Sequence, residues 1–238
     1  MRPVAFGLTL LASLLLAAAC AEVEPPVTQD IVSVIPWPDR ERAEYALLDD
    51  GEEVGRGTLS VTRRDERFEL RLRFENEEAV DESVVLVDAQ TLKPYTVRRE
   101  ISQQAKTTTG EYDETEGIVR ITEVGSDGGE RVVPHRLEEH YYDNESSLFL
   151  WRTVPFEEGY QANYHAVLVN QGAQRVVALE VVGKEEVKVP AGTFQAWRVE
   201  MRSRGNRQIA WYADTPERPL VQYDNSRQVF QLTSLEGG

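Results

Sequence analysis

Apolar and polar residues alternate one by one along much of the chain. The segment RFELRLRF (67–74) places Phe or Leu at every second position and Glu or Arg between them. The segments GIVRITEV (117–124), AWRVEM (196–201) and QVFQLTSL (228–235) show a similar alternation. Side chains of a strand point alternately to its two faces, so this period predicts antiparallel strands with one buried and one wet face.

Turn-forming residues separate these segments. Clusters of Asp, Gly, Ser and Asn stand at 49–51, 125–129 and 205–206, and VPAG at 189–192 suits a type I turn. One short helix is predicted at about 145–153. Many strands at short intervals indicate an all-β fold, an antiparallel meander that forms a strongly curved sheet, half-barrel or barrel with one short helix.

The N-terminus has the pattern of an export signal. Arg2 precedes an uncharged run over 4–19 that is too short for a membrane-spanning helix. This run ends in three alanines directly before Cys20, the single cysteine of the chain. The junction resembles the lipobox of bacterial lipoproteins, although Ala17 stands where leucine is usual. The resemblance implies cleavage after residue 19 and lipidation of Cys20, whereas an ordinary secretory signal is the alternative.

The remaining chain divides simply. Residues 1–19 are the predicted signal peptide, and 20–40 are the lipidated cysteine with a proline-containing tether. Residues 41–236 are predicted to form a single β domain. The expected location is the cell envelope, with a lipid anchor on the extracytoplasmic side of a bacterial membrane. Attachment to the membrane through that lipid is the predicted partner interaction, and we expect a monomer.

Charge and composition limit the classes of partner that the protein is expected to bind. The chain has 26 Lys and Arg against 41 Asp and Glu, a formal net charge of −15. Such acidity argues against nucleic-acid binding, which needs clustered positive charge. The hydrophobic share of 41% is sufficient for a packed core.

The C-terminal half carries a family pattern. The stretches VVGKEEVKVPAGTF (181–194) and WYADTPERPLV (211–221), with Trp151 and Arg152 before them, are the distinctive parts. They resemble the bacterial envelope family called domain of unknown function 3108. That resemblance implies a meander fold and no defined activity, and its likeness to lipid-handling envelope proteins is an analogy at the level of fold.

The sequence lacks the common catalytic and metal-binding motifs. It contains no G-x-S-x-G, H-E-x-x-H, P-loop or dinucleotide-binding glycine pattern. His135 and His140 lie near Glu139 and Asp143, but residues five apart on a strand face opposite sides. His165 stands alone, and the acidic turns lack the spacing of a calcium loop. We therefore predict no catalytic residues, no metal site and no cofactor.

Aromatic residues are the remaining candidates for a site. Core packing is the simpler role for them, because buried aromatic rings contribute large apolar areas. The alternative is an apolar cleft between the curved sheet and the helix. The candidate lining residues are Trp151, Phe194, Trp197, Trp211 and Tyr212.

Three classes of function remain open. The first is a non-enzymatic binding or carrier module for an apolar small molecule, such as an acyl chain. The second is a structural or protein-interaction module of the envelope without a small ligand. The third is a hydrolase, which a pair of buried carboxylates sharing a cleft would favour.

Overall fold

The computed structural model describes residues 27–237, and within this range the chain forms one curled β-sheet. The predicted all-β class and the single short helix are confirmed. The helix α1 spans Ser147–Leu150 and is continued by 3₁₀ turns on both sides, Asn144–Ser146 and Trp151–Thr153. The strands are β1 (Arg40–Asp49), β2 (Glu52–Arg64), β3 (Arg67–Glu75), β4 (Val80–Asp88), β5 (Pro94–Ile101), β6 (Lys106–Asp113), β7 (Ile118–Val124), β8 (Glu130–Arg136), β9 (Tyr141–Asp143), β10 (Gln161–Leu168), β11 (Ala173–Val189), β12 (Gly192–Ser203), β13 (Asn206–Ala213), β14 (Leu220–Asp224) and β15 (Val229–Gly237).

The sheet is a meander whose two halves meet at β1. Strands β2 to β8 follow one another on one side of β1, and β15 back to β9 follow on the other. Neighbours are antiparallel except β9 and β10, which run parallel. The alternation predicts the inner face correctly on β12, where Val199 and Met201 are buried and lie on the face opposite Arg198.

The sheet curls until its two ends come close together without forming a continuous ladder. The end strands β8 and β9 are joined by only four residues, so they must lie near each other. The side chain of Gln174 bridges the gap, because it accepts from Glu138 N at 3.0 Å and donates to Arg136 O at 2.5 Å. Gly110 on β6 lets Val169 pack against the inner face of the sheet, since a Cβ there would lie 2.9 Å from Val169 Cγ1.

A short helical plug, residues 144–153, fills the interior of the curled sheet. All of its residues except Asn144 are buried. The hydroxyl of Tyr212 donates to Leu148 O at 2.7 Å, and Trp151 Nε1 donates to the hydroxyl of Tyr164 at 2.7 Å. These bonds satisfy polar atoms that would otherwise be costly to bury, and they fix the plug against the inner face.

The two ends of the barrel-like sheet differ. Because successive strands run in opposite directions, the turns after β1, β3, β5, β7, β10, β12 and β14 lie at one end, which we call the mouth. The plug begins at the mouth with Asn144. It ends with Thr153 at the opposite end, which we call the base.

Residues 27–39 cover the base. Ser33 N and Val34 N both donate to Thr153 O at 3.1 Å. Trp37, which is 5% exposed, packs edge-on against Phe68 and Phe149. We assigned these residues to the tether because prolines flank Trp37, but prolines forbid regular structure without preventing packing. This part of the tether is therefore joined to the domain, and Cys20 and the signal peptide lie outside the described residues.

Candidate functional site

Two neighbouring clefts open at the mouth. They share four lining residues, Asn144, Ser147, Trp151 and Gln208, and so meet at the start of the plug. Their volumes are about 240 and 350 Å³. Together they form the concave, partly apolar kind of site in which small molecules bind.

The smaller cleft, which we call the cationic cleft, lies between the plug and strands β10 to β13. Its floor is formed by apolar side chains and its rim by polar ones, among which Arg175 and Arg202 carry charge. No carboxylate lines this cleft among the described residues. The full lining is Asn144, Ser147, Trp151, Ala166, Leu168, Gln171, Arg175, Val177, Met201, Arg202, Ser203, Asn206 and Gln208.

The larger cleft, which we call the aromatic cleft, lies between the plug and strands β1, β3 and β13 to β15. Phe230 lies at its centre, with ring centroids 5.0 Å from Phe74 and 5.5 Å from Tyr223. The remaining apolar walls and the polar rim are Leu47, Leu72, Leu148, Trp151, Asp81, Arg99, Asn144, Glu145, Ser147, Gln208, Asn225 and Gln228.

Ser147 stands at the junction of the two clefts. Its side chain lines both of them, and the residue is only 7% exposed. Within residues 27–237, the buried Nε of Arg175 has no hydrogen-bond partner. Ser147 Oγ has the hydroxyl of Tyr164 as its neighbouring polar group. Buried polar atoms in native proteins are normally paired, so Arg175 Nε is an exception in the lining of the cationic cleft.

Buried acids anchor the start of the plug beside the aromatic cleft. Asp143 Oδ1 accepts from Glu145 N at 2.8 Å, and its other oxygen accepts from the hydroxyl of Tyr112. Glu145 Oε1 pairs with Arg99 at 3.0 Å, and Arg99 binds Asp81 with two further hydrogen bonds. Burial, with the nearby charge of Glu145, raises the pKa of Asp143 to about 7. Burial also raises the pKa of Glu145, although the guanidinium of Arg99 opposes this.

Only Trp151 of the five predicted cleft residues lines the two mouth clefts. Tyr212 and Trp197 lie side by side on the inner face and both contact the ring of Phe156. Trp211 points to the opposite face of β13, where its Nε1 donates to Glu185. Phe194 is half-buried at the β11–β12 hairpin.

Several family-pattern residues form one structural cluster around Asp214. Trp197 Nε1 donates to Asp214 Oδ1 at 2.9 Å, and Lys184 Nζ lies 2.5 Å from Asp214 Oδ2. The Lys184 ammonium also stands 4.6 Å from the centre of the Trp197 ring. Gly183, at φ +150°, occupies the bulge of β11 that directs Lys184 toward this cluster. These residues therefore secure the β11–β12 hairpin to the β13–β14 connection.

The histidines are separate from both clefts. His165 Nδ1 lies 2.8 Å from Glu139 O, and His140 Nδ1 lies 3.4 Å from a carboxylate oxygen of Asp30. His135 lies on the end strand β8 beside Gly172. No group of three His, Cys, Asp or Glu side chains in the described range is arranged to hold a metal ion.

Sequence reasoning did not identify most of the mouth residues. Arg175 and Arg202 have the sequence pattern of ordinary solvent-facing charges, although they lie on the paired strands β11 and β12 and line one cleft. Ser147 sits inside an apolar-looking plug with no motif around it. A usable signal was present at Asp143, where an Asp directly before a short helix is the usual N-terminal cap.

The fold and the site define a β-barrel-like protein with an internal plug and an open mouth. The chain belongs to the family described as protein of unknown function DUF3108, whose model matches residues 42–228. Comparison with curated proteins gave no match. No helix in residues 27–237 is long and apolar enough to cross a bilayer.

One solved structure supports the architecture. A β-barrel-like protein of domain of unknown function DUF1849 from Brucella abortus is similar at a TM-score of 0.54 and 12% identity, over 85% of this chain and 99% of that one. A protein with a YmcC-like fold from Bacteroides fragilis gives a TM-score of 0.32 at 12% identity, over 87% of this chain and 100% of that one. The first likeness concerns the fold alone.

Proposed function

We propose that this protein is an exported, lipid-anchored envelope protein that binds an apolar ligand in the mouth of its barrel. The observation that carries the proposal is the pair of adjoining clefts, which expose apolar side chains of the interior at one end of a closely packed domain. Open concavities with apolar side chains in their lining are the usual form of a small-molecule binding site.

The position of the N-terminal segment fits an anchored protein. Residues 27–39 cover the base, and Gln29 N donates to Asn163 O at 2.8 Å near the base end of β10. The described chain therefore begins, at Val27, on the side opposite the mouth, and residues 27–39 leave the mouth open.

The buried carboxylates have structural roles that account for their burial. Asp143 is fully buried, caps the plug and accepts from Tyr112, so both of its oxygens are occupied. Glu145 is paired with Arg99. A general acid or base must reach a substrate proton. Asp143 lines neither cleft, whereas Glu145 lines the aromatic cleft with its carboxylate held by Arg99. These contacts support binding rather than hydrolysis as the function of the mouth.

The proposal is tested with an uncharged fluorescent probe, N-phenyl-1-naphthylamine. We expect the wild-type protein to bind it at a single site and to enhance its emission. Ala166→Phe would fill the cationic cleft and Leu72→Trp would fill the aromatic cleft, so each variant should weaken binding. Trp197→Phe, outside both clefts, is the matched aromatic control.

Circular dichroism would establish that each variant is folded. Wild-type protein that binds no probe would overturn the proposal and leave the structural or interaction module. The same conclusion would follow if both filled variants were folded and bound the probe as tightly as the wild type.

A further inference from the structure

The two clefts differ in charge. The protein as a whole carries a net charge of −15, yet the charged residues that line the cationic cleft are both arginines. The aromatic cleft, in contrast, has its single arginine, Arg99, engaged by Asp81 and Glu145. Positive charge concentrated in one small concavity of an acidic protein favours an anionic group there.

The positive charge at the cationic cleft is incompletely paired by hydrogen bonds. Arg202 donates to Glu200 Oε2 at 3.1 Å, but Glu200 also pairs with Arg198 and Arg207. Arg175 donates to the neutral amide of Gln171, and its Nε has no partner in the described chain. Arg175 therefore retains a donor and a charge that no side chain of the described residues neutralises by an ion pair.

An apolar compartment begins where the cationic cleft ends. Ser147 lies at the junction, and Trp151 forms a wall of both clefts. Beyond them, Leu72, Phe74 and Phe230 line the aromatic cleft. A molecule that spans both clefts would thus meet guanidinium and hydroxyl donors at one end and aromatic and aliphatic side chains at the other.

We propose that the ligand is a single-chain amphiphile with an anionic head, its head beside Arg175 and Ser147 and its chain in the aromatic cleft. This inference rests on the proposed function. Volumes of about 240 and 350 Å³ lie near the lower limit of ordinary ligand sites, about 300 Å³, and favour one chain over two. A carboxylate and a phosphate share the chemistry that guanidinium and hydroxyl donors recognise.

The experiment is calorimetric titration of the purified protein with four ligands that carry a ten-carbon chain, each below its micelle concentration or, for decanol, below its solubility limit. Decanoate and decyl phosphate carry an anionic head, decanol is neutral, and decyltrimethylammonium is cationic. We expect at least one anion to bind about tenfold more tightly than decanol, and the cation to bind more weakly than decanol. The stronger of the two anions identifies the head group.

Two variants test where the anionic head group of the ligand binds. Arg175→Met keeps the length and apolar stem of the side chain but removes its charge. It should therefore lower the affinity for the anion about tenfold and leave the affinity for decanol unchanged. Arg40→Gln, which removes an exposed positive charge at the base, is the control for net charge and should change neither ligand.

The outcomes separate the two proposals. If none of the four ligands binds and the naphthylamine probe does not bind, the proposed function itself fails. The second proposal fails if decanol binds as tightly as both anions, or if the folded Arg175→Met variant keeps the preference for the anion. In either case the mouth binds apolar ligands, but the proposal of an anionic head group beside Arg175 is wrong.

Discussion

Arg152 and Glu41 form a bidentate ion pair in the base of the barrel, with hydrogen bonds of 2.6 and 2.7 Å. Their side chains are 4% and 7% exposed. Arg152 Nε also donates to Glu217 O at 2.8 Å, and its guanidinium lies 5.4 Å from the centre of the Trp37 ring. One side chain thus links the plug to β1, to the β13–β14 connection and to the N-terminal segment.

Removing one partner of this pair should be strongly destabilising. Glu41→Gln would leave the Arg152 charge buried and unpaired, which typically costs about 3–5 kcal/mol. Urea unfolding measures the loss. The exposed pair of Arg42 and Glu44 provides the control, because Glu44→Gln should cost no more than about 1 kcal/mol. Equal losses of unfolding free energy in the two variants would show that the buried ion pair stabilises the protein no more than the exposed one.

Asp143 should make stability depend on pH. Its pKa is raised to about 7 in the folded protein from 3.8, so between these values the folded state binds more protons than the unfolded state. The free energy of unfolding should therefore decrease as pH rises from about 4 to about 7, by at most about 1.4 kcal/mol per pH unit from this group, and level off above.

Asp143→Asn should remove that dependence while keeping an oxygen that can cap the plug. We expect the difference in unfolding free energy between the wild type and Asp143→Asn to change across this pH range and to stay constant above it. Asp127→Asn, in the exposed turn between β7 and β8, is the control. A parallel pH profile for the wild type and Asp143→Asn would contradict the raised pKa.

Trp197 should contribute to stability and not to ligand binding. It is half-buried, packs against Phe156 and donates to Asp214, and it lines neither mouth cleft. Trp197→Ala should cost about 2–3 kcal/mol, less than the 3–5 kcal/mol usual for a fully buried ring. Probe titration of the folded variant should match the wild type. Lost binding with unchanged stability would instead place the ligand near β12.

Cys20→Ser should release the protein from the membrane. The change removes the thiol that would accept the lipid, and a stable anchor normally needs at least two acyl chains. Fractionation of cells followed by a salt wash measures the distribution. Ala21→Ser keeps Cys20 and should stay in the membrane fraction. Persistence of the Cys20→Ser protein in the washed membranes would rule out lipidation at this position.

The sequence by itself determined the elements of this fold. Alternation over 67–74 and 196–201 depends only on which face each side chain takes, so it predicted β3 and β12 directly. The glycine-rich turns and the short helix, predicted at about 145–153 and found at Ser147–Leu150, were equally local signals. The expected curved meander followed from the number of strands and the short turns between them.

Only the tertiary structure decided the site. Arg152 meets Glu41 across 111 positions of sequence, and Arg175 and Arg202 line one cleft with the plug at the mouth end of the paired strands β11 and β12. The sequence pattern placed Trp37 in a tether, whereas in the structure it packs against Phe68 and Phe149 at the base of the barrel. Periodicity shows which face of a strand is buried. The curl and the bulges of the sheet decide which side chains from distant strands meet at the ends of the barrel.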